Sequence, residues 1–118
     1  MITRRTIILF FILFGIFSPV AAATNEAVRI LFIGNSYTGG IRKTFSKFIA
    51  ASPEASSVQI EYISPGGKNL EFHLKNPSIT RKIADGKWDF VILQDQSQTP
   101  AVFPEKFKNA AIALDKLI

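Results

Sequence analysis

Cysteine is absent from the 118 residues and histidine occurs once, as His73. Without cysteine the chain can form no disulfide, no thiolate nucleophile and no sulfur-ligated metal site, so its stability has to come from an apolar core. No grouping of His, Asp and Glu has metal-ligand spacing, and no metal is expected. No apolar run reaches the roughly 20 residues that a helix needs to cross a bilayer. The longest, Ile7 to Phe17, follows Arg4 and Arg5 and precedes Ala21-Ala22-Ala23. A basic start, a short apolar stretch and a small-residue cleavage site read as a secretory signal peptide over residues 1–23, with export to the periplasm or the extracellular space and no stable membrane anchor after cleavage.

Arg4 and Arg5 are the only charges in that leader, so its removal lowers the formal charge from +5 to +3. The other Lys and Arg are dispersed, as on a solvated surface, and no nucleic-acid partner is expected. Residues 24–118 suffice for one small domain and sit at the low end for a parallel sheet covered by helices on both faces. An incomplete copy of a longer domain is therefore expected.

Val28 to Ile33 is an almost unbroken apolar run ending at Gly34, the pattern of a strand buried on both faces. Helical spacing follows from Ile41 to Ala51, with Ile41, Phe45, Phe48 and Ile49 on one face and Arg42, Lys43 and Lys47 on the other. Val58 to Ile63 alternates like a strand at a sheet edge. Pro65-Gly66-Gly67 then requires a loop, since proline lacks a ladder donor and glycine invites positive φ. Leu70 to Asp85 has helical character interrupted at Asn76-Pro77, Trp88 to Leu93 reads as a second buried strand with Trp88 and Phe90 in the core, and Gln94 to Pro104 as a loop. The last helix spans Glu105 to Ile118, with Phe107, Ala111, Leu114 and Ile118 inward.

Strands alternating with helices predict the α/β class and a parallel sheet with right-handed crossovers. Ligands bind such sheets at the carboxyl ends of the strands, which here means the loops Gly34 to Gly40, Ser64 to Asn69 and Gln94 to Thr99. Ser36, directly after a strand and before a helix, would present its hydroxyl among free backbone N–H groups, a setting for a nucleophile and its oxyanion. Helix capping by Asn35, Ser36 and Thr38 accounts for the same residues. Gly34 and Gly39 have the spacing of P-loop glycines, but Gly40 and Ile41 stand where Lys and Ser or Thr are needed, so a nucleotide is not expected.

Read together, Ile30-Leu31-Phe32-Ile33-Gly34-Asn35-Ser36-Tyr37-Thr38, Pro65-Gly66-Gly67 and Leu93-Gln94-Asp95-Gln96-Ser97 resemble the SGNH (GDSL-like) hydrolase superfamily, in its secreted branch with Gly-Asn-Ser first, over about residues 28–100. The resemblance implies a three-layer α/β/α, flavodoxin-like fold, here cut to about three strands. It also implies a serine esterase without a cofactor, acting on a small-molecule or carbohydrate ester. Ser36 would be the nucleophile and Gly67 a backbone oxyanion donor. Gln96, with Gln94 as its rival, would stand in for the superfamily's side-chain amide donor. Asn35 and Tyr37 would belong to the substrate side. His73 would either line the substrate crevice or sit partly exposed on a helix. The superfamily's general base, a histidine in a late Asp-x-x-His motif, has no match in this sequence, which points to weak or no activity for this chain. A non-catalytic exported module binding a glycan or acyl ligand is the competing expectation.

Overall fold

The computed structural model describes residues 26–118, and the signal peptide reading falls outside them. Three strands, β1 (Val28–Ile33), β2 (Val58–Ile63) and β3 (Phe90–Leu93), form one parallel sheet in the order β2-β1-β3. The helices are α1 (Ser36–Ala50), α2 (Leu70–Leu74), α3 (Pro77–Asp85), α4 (Thr99–Val102) and α5 (Pro104–Asp115). The chain is thus α/β, with helices on both faces of a three-strand parallel sheet.

The central place of β1 explains its sequence, because alternate side chains of a strand point to opposite faces and both are covered here. Leu31 and Ile33 are fully buried against Leu70 of α2, Ile79 and Ile83 of α3, and Ala110 and Leu114 of α5. On the other face Phe32 stacks on Tyr62 of β2 at 4.9 Å and meets Phe45 of α1 edge-on at 5.2 Å. Arg42 of α1 lies over the Tyr62 ring. That second layer covers β1 and β2 but stops short of β3.

The structure departs from the sequence reading in four places. β3 is an edge strand and not a buried one, and Phe90 is 59% exposed. Trp88 precedes the strand but packs against the core as expected, its indole N–H donating to the Lys82 carbonyl at 3.0 Å. On α1, Phe45 and Ile49 face inward while Ile41 and Phe48 face solvent, Phe48 with 73% of its surface exposed. Two apolar stripes run side by side on this helix, and its periodicity does not decide which one meets the sheet. In α5 Ala110 and Leu114 are buried and Phe107 and Ala111 pack against the same core as expected, while Ile118, past the end of the helix, is exposed.

Helix boundaries follow from caps. Helix α1 begins at Ser36, five residues before the apolar spacing begins, because Asn35 caps it and accepts from the Tyr37 N–H at 3.2 Å. The break predicted at Asn76-Pro77 is real: the Asn76 side chain accepts from Ser78 N–H at 3.0 Å and Ile79 N–H at 3.4 Å, and Pro77 takes the first helical position, where no N–H is needed. Asn76→Ala should lower stability by about 1 kcal/mol, measured as a shift of the urea midpoint with unchanged slope. Gly86 ends α3 with ordinary helical φ, and it is glycine because a Cβ there would run into the Trp88 indole and the Lys82 carbonyl.

The crevice at the strand ends as candidate functional site

All three strands stop at one level. Beyond β1, the Gly34 N–H donates to the Ile63 carbonyl at 2.9 Å and the Gln94 N–H to the Ile33 carbonyl at 2.8 Å, so the three following loops leave from adjacent points. Side chains then tie these loops to one another. Asn35, only 2% exposed, donates from Nδ2 to the Lys68 carbonyl at 3.0 Å, which joins the first loop to the glycine loop. Gln94 Oε1 accepts from the Asn35 N–H at 3.1 Å and from the Thr38 hydroxyl at 2.9 Å, which joins the first loop to the third. Asp95 Oδ1 accepts from the Leu70 N–H at 3.0 Å and the Gln96 N–H at 2.6 Å, closing the circuit between the third loop and α2.

Within this frame Ser36 occupies the first position of a 15-residue helix and is exposed. Among the described residues its hydroxyl makes no hydrogen bond and its N–H meets no protein acceptor. The positive end of the helix dipole lies at this point, and no acidic residue in the first turn offsets it. Gly67 adopts φ +69°, the left-handed conformation expected from the paired glycines, and its N–H is likewise without a protein acceptor among the described residues. Both N–H groups are available to an anion.

The structure sorts the remaining predicted site residues. Tyr37 is exposed beside Ser36. Asn35 does not reach the substrate side: its N–H, Oδ1 and Nδ2 are all bonded within the frame. Gln94 is also committed, since its Oε1 accepts twice and its Nε2 donates to the Asp95 carbonyl. Gln96 turns its Oε1 to the Gln98 N–H at 2.9 Å and the Thr99 hydroxyl, while its Nε2 makes no hydrogen bond among the described residues. Of the two glutamines, Gln96 is the one with a donor to spare.

Neither expectation for His73 holds. It is fully buried, so it neither lines the crevice nor sits partly exposed on α2. Its Nε2 lies 2.8 Å from the Gly34 carbonyl oxygen. Burial pushes the imidazole pKa below its ordinary 6.5, against the opposing pull of the Gly34 hydrogen bond and of the Asp95 charge. A histidine held neutral by the fold contributes its full stability above pH 6.5 and loses it as pH falls through the depressed value.

Asp95 bonds loop amides, the N–H groups of Leu70 and Gln96. Sequence reasoning missed the link from Thr38 to Gln94, for which a Thr two residues after a strand-end Ser was the only signal. Asp95→Ala leaves two N–H groups without their charged acceptor and should cost roughly 2–4 kcal/mol, whereas Asp95→Asn keeps one acceptor oxygen and should cost less than half as much. Chemical unfolding of the two variants side by side checks this.

A cavity of about 430 Å³ lies at the opposite end of the sheet, lined by Arg29, Lys87, Trp88 and Asp89 among others, away from Ser36. No helix among the described residues is long and apolar enough to cross a membrane. No protein-family model, curated protein or solved structure matches the chain.

Proposed function

We propose that this domain is an SGNH-type serine ester hydrolase fold, exported, whose crevice receives the acyl or acetyl group of a small or carbohydrate ester. The observation that carries the reading is the exposed Ser36 hydroxyl on a turn locked by Asn35, Gln94 and Thr38, with the unpaired N–H groups of Ser36 and Gly67 at the same end of the sheet. Attack of Ser36 Oγ on an ester carbonyl places negative charge on the carbonyl oxygen. Fixed N–H donors and the N-terminus of α1 stabilise that charge without reorganising. The Gln96 Nε2 is the third donor.

The serine proton needs an acceptor, and the Ser36 hydroxyl meets none among the described residues: the chain's single histidine is buried and already bonded to a backbone carbonyl. Hydrolysis by these residues alone should therefore be slow. Sites stripped of one catalytic partner keep about 10³–10⁴-fold acceleration over water from oxyanion donors and binding alone. Hydrolysis of p-nitrophenyl acetate by the full chain should stay within that range, and it should fall further in Gln96→Ala.

The walled-off histidine also favours a second reading, a non-catalytic module that holds a glycan or acyl ligand in the same crevice. Saturable binding of an acetylated oligosaccharide, unchanged in Ser36→Ala and without any ester turnover, would support this module over the hydrolase.

A further inference from the structure

His73 is a buried polar side chain that the hydrolase reading leaves without a role. A backbone carbonyl can only accept, so the 2.8 Å contact with Gly34 requires the proton on Nε2. Nδ1 is then a bare acceptor, and it has no hydrogen-bond partner among the described residues. A fold that leaves a buried acceptor unpaired gives up stability that a hydrocarbon side chain would retain. The one polar contact this ring makes among the described residues is with the peptide that leads into Ser36.

The peptides on both sides of Gly34 are held. The Gly34 N–H is taken by the Ile63 carbonyl at the end of β2, the Gly34 carbonyl by His73 Nε2, and the Asn35 N–H by Gln94 Oε1. A peptide plane clamped at both carbonyl and N–H cannot rotate, and its orientation fixes the direction in which the next residues, Asn35 and Ser36, leave the strand. We propose that His73 is a positioning residue for the Ser36 turn, its Nε2–H locking the Gly34–Asn35 peptide so that the Ser36 N–H and hydroxyl face the crevice together. The catalytic consequence rests on the Ser36 reading above; the clamp does not, and it can be tested apart.

The charged group acting on the ring is Asp95, from the loop after β3. Glu71 of the same helix is paired with Lys75, which caps its C-terminus, and Lys106 of α5 acts on Glu71. Protonation of Nδ1 would add a donor with no acceptor where burial already disfavours charge, while Nε2 keeps its proton and its bond to the Gly34 carbonyl, so the turn should sense the ring's charge as it titrates.

Amide spectra of the full chain, recorded as pH is lowered from 8, test the clamp. The Asn35, Ser36 and Tyr37 signals should move with the midpoint of the His73 ring. His73→Gln keeps an N–H donor at similar reach and cannot titrate, so those amides should hold their neutral-pH positions and lose that midpoint. In His73→Leu they should be displaced at pH 8 while amides of α3 stay in place; if the Leu variant does not fold, the Gln comparison decides. Turn amides that ignore the His73 midpoint, or that keep it in His73→Gln, would overturn the clamp.

The rate of fluorophosphonate labelling at Ser36, measured at pH 8, tests the consequence. It should be kept within about twofold in His73→Gln and fall at least tenfold in a folded His73→Leu. Equal rates in the folded Leu variant would overturn the positioning role. Absence of labelling in every form, with the amide shifts as expected, would overturn the Ser36 reading and leave the clamp standing.

Discussion

Gly34→Ala should destabilise the domain by about 2–4 kcal/mol, more than its single added methyl group suggests. The position needs no positive φ; only Gly67 among the glycines of the described residues has one. It needs space. A Cβ on Gly34 would lie 2.6 Å from Gln94 Oε1 and would overlap the Thr38 hydroxyl, the two groups whose hydrogen bond joins the third loop to α1. Neither can retreat without breaking that link, and Gln94 cannot move without also releasing the Asn35 N–H. For a domain of this size the loss corresponds to roughly 10–25 °C in Tm, read by differential scanning calorimetry. Gly86→Ala is the useful comparison, since it too collides with a neighbour, the Trp88 indole, but at the far end of the sheet. Both should lower Tm, and only Gly34→Ala should shift the Ser36 amide in the variant that remains folded.

Ser36→Ala should do the reverse, abolishing covalent reaction while leaving stability within about 0.5 kcal/mol. The side chain is exposed and makes no hydrogen bond among the described residues, and the capping of α1 belongs to Asn35. Alanine is also a better helix former than serine, which offsets what little is lost. An exposed hydroxyl with no hydrogen bond among the described residues gives no support to a turn that is held by the hydrogen bonds of Asn35, Gln94, Thr38 and His73. Had Ser36 been a structural cap, its hydroxyl would accept from a first-turn N–H and its loss would cost about 1 kcal/mol. Thermal unfolding of Ser36→Ala beside Asn35→Ala separates the two roles, because the Asn variant should lose several times more.

The parts of this architecture that local chemistry dictates were legible in the sequence. β1 reads as central because residues 28–33 are apolar on both faces, and Gly67 reads as a turn because Pro65 and Gly66 precede it. The split between α2 and α3 follows from Asn76-Pro77. What stayed hidden depends on which elements become neighbours. Phe90 resembles a core residue until β3 proves to be an edge, and Phe48 until α1 is seen to cover β1 and β2 only. The same limit applied at the crevice. Ser36 could be placed from its position after a strand, but a buried Asn35 bonding Lys68, or a His73 reaching back 39 residues to Gly34, is a contact across loops that no local spacing encodes. Residues expected to touch a ligand, Asn35, Gln94 and His73, turned out to hold the turn that presents Ser36.

The most direct measurement is peptide mapping by mass spectrometry after the full chain is incubated with an alkyl fluorophosphonate, a reagent whose tetrahedral adduct mimics the charge developed in ester attack. The proposed role of Ser36 predicts one adduct, on that residue, forming slowly because no base meets its hydroxyl among the described residues, and absent from Ser36→Ala. A folded chain that remains unmodified, or one whose adduct is spread over other serines such as Ser46 and Ser97, would contradict it.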